Sequence, residues 1–325
     1  MKLPGLKLFV SAILMAPAAC LPGAAQEAAV PSSSPREMKM SLIVTDEKHH
    51  SLGELSLSDI KITEDGKLRT LTGLTKEAKP IKYVLLMDNS LSFKKFLSGL
   101  IMATSLLIDQ NKAGDETELV RFVSSDKINV QLAFTSDQAK LKETVAKETH
   151  LEEGQSAVID ALYLTVDQLS QTKPESFAGR QAVVLISDGE DRNSYYSESA
   201  LVKLLRLRNV QVFVLGMTNQ LDDVGGQIIR SPKEKAERLL NLVALESGGR
   251  AFFPKTVGEL QRATNEIAHD LRVQFVLSYS APAEPLKNGF HKVEVKIADG
   301  KKLTAVTRPG FLIAPPNEKD KKKSP

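Results

Sequence analysis

A chain of 325 residues with 42% hydrophobic content can bury one full core and a smaller one, and is too apolar for a disordered chain. Its 43 basic and 40 acidic residues leave a formal charge of only +3, part of it in the run Lys319-Asp320-Lys321-Lys322-Lys323, so nucleic acid is not an implied partner. The one cysteine, Cys20, has no second thiol to pair with, so packing alone must hold the fold.

Lys2 and Lys7 precede the apolar run Leu8–Ala16, and small residues follow up to Gly23-Ala24-Ala25, the pattern of an export signal over residues 1–25. The run is too short for a spanning helix, and no later stretch approaches the roughly 20 apolar residues that one needs. The expected location is periplasmic or secreted. Pro17-Ala18-Ala19-Cys20 lacks the Leu that a bacterial lipobox usually carries three positions before its Cys. Loss of Cys20 with the signal is therefore preferred to lipid anchoring.

Residues 26–37, rich in Ala, Pro, Ser and Glu, read as a flexible spacer. From 38 to 79 the chain is β in character: Met40–Thr45 and Ile60–Thr63 are strands, and Glu64-Asp65-Gly66-Lys67 is a hairpin turn into Leu68–Leu74. Between 80 and 255 the pattern changes. Short aliphatic runs, Tyr83–Met87, Glu118–Val123, Ala182–Ile186, Val210–Leu215 and Arg250–Phe253, alternate with stretches of helical period, and several are apolar throughout, as strands buried on both faces must be. Phe93, Phe96, Leu97, Leu100, Ile101, Leu107 and Ile108 share one helix face; Ile159, Leu162, Tyr163, Val166 and Leu169 share another, and Leu201, Leu204 and Leu205 a third. Such alternation predicts a doubly wound, mostly parallel α/β sheet. Lys127–Ala133 follows Glu118–Val123 after a short turn, which adds one antiparallel edge strand. Residues 256–314 hold a last helix, Val257–Asp270, and the strands Val273–Ser280, Lys292–Ile297 and Leu303–Thr307. These are expected to pair with 38–79 into a small β-sandwich-like domain in which the α/β core is inserted. The Lys-rich tail, 315–325, carries no apolar pattern and is expected to be disordered.

Asp88-Asn89-Ser90-Leu91-Ser92 falls directly after one buried strand and before a helix, at the carboxyl edge of the sheet where open α/β folds place ligands. Alternate spacing lets one carboxylate and two hydroxyls converge, and hard oxygens of this kind suit Mg²⁺, Mn²⁺ or Ca²⁺. The bland alternative is an ordinary polar turn with Ser92 as a helix N-cap. Gly154-Gln155-Ser156-Ala157 offers Ser156 at a helix start, and Ser187-Asp188-Gly189 offers Asp188 after a strand, so all three loops open on one edge. Glu190 and Asp191 are either further ligands or, more simply, a solvated acidic loop. His49-His50 reads as a surface turn. His150, His269 and His291 are isolated in sequence, and none reads as close to the three loops.

Taken together, Asp88-x-Ser90-x-Ser92, Ser156 in a Gly-x-Ser-Ala context and Val184-Leu-Ile-Ser-Asp188-Gly189 resemble the metal-ion-dependent adhesion site (MIDAS) of von Willebrand factor type A domains, over roughly residues 80–255. The flanks, Ile60–Lys67 before and Leu271–Leu277 after, resemble the bacterial exported subgroup of that family. The resemblance implies a Rossmann-like fold and a divalent cation, Mg²⁺ first and Mn²⁺ or Ca²⁺ next. Ser90 and Ser92 would ligate it directly, Ser156 would join when a partner is bound, and Asp88 and Asp188 would act through water. Ser156 stands where Thr is usual, and Leu91 and Gln155 each stand where Gly is usual. Neutral hydroxyl ligands leave the cation most of its charge, which favours capture of a partner protein's Asp or Glu carboxylate over catalysis. The expected function is an exported adhesion or scaffold module and not an enzyme; the alternative is an envelope assembly protein that oligomerises without metal-dependent capture.

Overall fold

The computed structural model describes residues 36–313, less positions 49, 53, 78, 172–176, 178, 225–229, 283–286 and 299–301. The expected export signal with Cys20, residues 26–35 of the spacer, His49 and the Lys-rich tail lie outside the described residues, as does the side chain of Ser92.

The chain opens with β1 (Arg36–Thr45), β2 (Ile60–Glu64), β3 (Lys67–Leu68) and β4 (Thr70–Glu77). β1 begins two residues inside the expected spacer, because its neighbour in the sheet runs on far enough to pair with Arg36 and Glu37. Then come β5 (Ile81–Asp88), a short 3₁₀ turn (Leu91–Phe96), α1 (Leu97–Asp109), β6 (Glu116–Phe122), β7 (Ile128–Thr135) and α2 (Gln138–Glu148). These are followed by α3 (Val158–Ser170), β8 (Arg180–Ser187), α4 (Glu198–Leu207), β9 (Gln211–Gly216), α5 (Pro232–Ser247), β10 (Ala251–Phe252) and α6 (Val257–Asp270). The chain ends in β11 (Gln274–Ala281), β12 (Gly289–Ile297), β13 (Thr304–Val306) and β14 (Gly310–Ile313).

The middle forms a six-stranded sheet in the order β10-β9-β8-β5-β6-β7, parallel except for β7, which runs antiparallel to β6 at the edge. This is the doubly wound architecture that the alternation of elements predicts. Alternate residues of one strand feed two cores. Tyr83, Leu85 and Met87 of β5 face Phe93, Leu100, Leu107 and Ile267 on one side, and Val84 and Leu86 face Val158, Leu162, Leu201 and Leu240 on the other.

The flanking strands make two four-stranded antiparallel sheets, β13-β1-β11-β4 and β14-β12-β2-β3, each drawing strands from both ends of the described chain. Leu42 and Val44 of β1, Leu277 and Tyr279 of β11, Ile60 and Ile62 of β2, and Val293 of β12 share one apolar core, so the two sheets pack as a sandwich.

Candidate metal centre

β5 is buried along nearly its whole length, between β6 and β8 with helices over both faces, and it ends in an equally buried Asp88. One carboxylate oxygen, Oδ1, accepts the Ser90 amide at 3.0 Å and the Ser90 hydroxyl at 2.6 Å. Oδ2 accepts the Ser187 hydroxyl at 2.7 Å and the Ser156 hydroxyl at 3.3 Å. Burial pushes the Asp88 carboxyl above the ordinary aspartate range, and the serine hydrogen bonds pull it back only in part.

Three loops are locked around this carboxylate. In the first, Ser90 occupies the N-cap position of the 3₁₀ turn, and its hydroxyl is turned to Asp88 rather than to the turn's own amides. The N-cap alternative for Ser92 therefore does not hold; Ser92 lies one residue inside the turn. Asn89 ties this loop to the second: its side-chain amide donates to the His150 carbonyl at 2.8 Å, and its own carbonyl accepts the Glu152 amide at 3.0 Å. His150 thus stands beside the centre through its backbone, contrary to its isolation in sequence, while its ring engages Arg121 at 2.8 Å and Glu152 at 3.2 Å. Gly154 passes so close to the residue that follows β6 that an added Cβ would lie 2.5 Å from Val123 Cγ1.

The second loop leads into α3, whose N-cap residue, Ala157, has no side chain to cap with. The third loop supplies the cap instead: Asp191 accepts the Ile159 amide at 3.0 Å, and the Ser194 hydroxyl accepts the Asp160 amide at 3.1 Å. Asp160 in return accepts the amides of Tyr195 and Tyr196, both at 2.8 Å. Asp191, half-buried, therefore serves as a helix cap, and Glu190 pairs with Arg192 at 2.5 Å. Asp188 follows β8 directly, is buried, and accepts the Glu190 amide at 3.0 Å. Gly189 takes φ +79°, and a Cβ there would meet Leu240 Cδ1 at 2.7 Å, so the position requires glycine.

Asp88, Ser90 and Ser156 are thus in direct contact, with Asp188 on the same edge. Ser187 joins them unannounced by the spacing; its only sequence signal is its place at a strand end before Asp-Gly. His50 sits in a surface turn against Asp46, as its polar surroundings predict.

The sequence model of the von Willebrand factor type A domain matches residues 84–266, more than half of the chain. The protein belongs to the von Willebrand factor type A family. No curated protein matches it in sequence. Among solved structures, it is similar to an aerotolerance-related membrane protein from Bacteroides fragilis (20% identity, 58% of this chain and 98% of that one, TM-score 0.45). It is also similar to a von Willebrand factor type A protein from Catenulispora acidiphila (12% identity, 88% and 75%, TM-score 0.45). A third is proximal thread matrix protein 1 of the mussel byssus with a zinc-occupied MIDAS motif (18% identity, 66% and 50%, TM-score 0.45).

The residues at the sheet edge of this von Willebrand factor type A domain fit a divalent cation. Among the described residues, every group turned on the buried Asp88 carboxylate is a hydroxyl or an amide, so its charge is met by neutral dipoles. A buried carboxylate so placed is stabilised far better by a cation than by hydroxyls alone. The oxygen-only set of Asp88, Ser90, Ser156 and Asp188 has the hardness that Mg²⁺ or Mn²⁺ requires.

Proposed function

We propose that this protein uses a divalent cation, Mg²⁺ before Mn²⁺ or Ca²⁺, held by Asp88, Ser90, Ser92, Ser156 and Asp188, to capture an Asp or Glu carboxylate of a partner protein. The observation that carries this is the fully buried Asp88 carboxylate ringed by the neutral hydroxyls of Ser90, Ser156 and Ser187 at the open edge of the sheet. Hydroxyl ligands do not neutralise a cation, so a bound ion supplies positive charge and an open coordination position for an incoming anion. The chain's own part is to fix these oxygens: Asn89 and Asp191 hold the three loops in register, and Asp160 pins the loop after Asp188. Hydrolysis would need a general base poised over the ion, and the side chains that turn on Asp88 are hydroxyls. We therefore read the domain as a binding module rather than an enzyme. The sequence of residues 1–25 directs it out of the cytoplasm, to the periplasm or beyond.

Calorimetric titration with Mg²⁺ and capture of partners from envelope extract, each with wild type and Asp88→Asn, test the reading. The substitution keeps the shape and removes the charge, and the expected result is loss of Mg²⁺ binding together with loss of every partner that EDTA also releases. Partners retained by Asp88→Asn, or unaffected by EDTA, would leave oligomerisation or metal-free assembly as the function.

A further inference from the structure

The sandwich carries a second group of ligand-type side chains, on elements that contribute nothing to the Asp88 centre. β2 and β3 are joined by Asp65-Gly66, both with positive φ, +51° and +76°, the two-residue connection of a tight hairpin. The turn is strapped to β12: the Asp65 amide donates to the Lys292 carbonyl at 2.8 Å, and Asp65 Oδ1 accepts the Lys292 amide at 2.9 Å. His291, buried in β12 and stacked on Phe311, directs Nδ1 at Asp65 Oδ2 from 2.8 Å. Its Nε2 lies 2.8 Å from the Lys287 carbonyl. A carbonyl can only accept, so Nε2 carries a proton and Nδ1 is the nitrogen left to bind. This is the outer-shell arrangement that fixes the tautomer and tilt of a metal-ligating imidazole.

Glu64 completes the set. It is the last residue of β2 and fully buried; Oε2 accepts Arg69 Nε at 3.1 Å, while Oε1 is buried with no hydrogen-bond partner among the described residues. One ligand atom each from Glu64, Asp65 and His291 lies within 4.8 Å of the others. A His–Asp ion pair accounts for two of the three residues and leaves Glu64 Oε1 buried without a donor among the described residues, which is costly and rare. A cation shared by the three accounts for all of them. One imidazole with two carboxylates is a borderline donor set that suits Zn²⁺ ahead of Mg²⁺.

We propose that Glu64, Asp65 and His291 form a zinc site that clips the β2–β3 turn to β12, and so ties the first β segment to the last. Zinc takes the place between Nδ1 and Asp65 Oδ2 that a proton otherwise fills, and that proton leaves to solvent. The site is independent of the proposed carboxylate capture.

The test is Zn²⁺ and Co²⁺ titration of the full chain with Mg²⁺ in excess to hold the Asp88 centre, read by calorimetry, visible absorption of Co²⁺ and thermal unfolding. The expected result is one equivalent with a nitrogen-and-oxygen Co²⁺ spectrum and a rise in Tm, since ligand binding to the folded state stabilises it. Asp65→Asn, whose side chain is partly exposed and leaves the core intact, and His291→Gln should each weaken Zn²⁺ by more than the roughly 10–100-fold that loss of an outer-shell partner costs. Asp88→Asn should leave this equivalent in place. Zinc binding that survives Asp65→Asn in folded protein, or that vanishes with Asp88→Asn instead, overturns the assignment.

Discussion

Ser187 works in two directions, donating to Asp88 Oδ2 at 2.7 Å and accepting the Gly189 amide at 2.9 Å. Ser187→Ala leaves both of those buried groups short of a partner, and the expected loss of stability is about 1–3 kcal/mol, measured by urea unfolding without metal. The same protein should still titrate with Mg²⁺, because the proposed ligand set is untouched. Asp88, Ser90, Ser156 and Asp188 were legible from spacing, since a strand end fixes where the next residues point. Ser187, Asn89 and Asp191 were not. Their roles arise where loops distant in the chain meet, as when Asp191 caps α3 in place of Ala157. His291 was illegible for the same reason, because its partners, Glu64 and Asp65, lie more than 200 residues away.

At the scale of elements, β5 makes a second, separable prediction. Tyr83 is buried in the strand, and its hydroxyl donates to Asn111 Oδ1 at 2.7 Å. Burial pushes that hydroxyl up to about 12 from its usual 10.0. The unfolded chain therefore loses the proton first as pH rises. The contribution of Tyr83 is intact below pH 10 and is lost between there and pH 12, at up to about 1.4 kcal/mol per pH unit. Unfolding free energies at pH 9.5 and 11.5 should fall more steeply for wild type than for Tyr83→Phe; equal slopes would show that the hydroxyl is wet. Tyr279 is raised by burial in the same direction, so some slope remains in the variant. Strong period and all-apolar runs made β5, β8 and β9 readable, and the short turn after β6 gave away β7. α2 was missed. It buries only Leu141 and Val145 against the sheet, too few apolar positions for a helical period to show, and it is started by Asp137 accepting the Lys140 amide at 3.0 Å.

For the molecule as a whole, what matters is that β11 lies between β1 and β4, pairing Leu277 with Met40 on one side and Leu74 on the other. The first and last segments thus complete each other, an arrangement readable in outline because the β-type patterns stop and resume on either side of the α/β repeat. The pairing has an energetic consequence. In the backbone ladder β1 and β4 are joined through β11, with one side-chain hydrogen bond, Thr72 to Glu37 at 3.4 Å, added across it, whereas the six-stranded sheet keeps a core on each of its faces. Leu277 is fully buried in the sandwich core, and Leu277→Ala should cost about 2–5 kcal/mol. The loss should not spread evenly. Amide exchange should accelerate in β1, β4 and β11 together, while Val183, Val184 and Leu185 at the centre of the six-stranded sheet keep their protection. Uniform acceleration in both regions would mean that the sandwich and the α/β sheet unfold as one unit. In that case a zinc clip at Glu64, Asp65 and His291 would stabilise the Asp88 centre as well, and added Zn²⁺ would slow exchange in β5 as much as in β12.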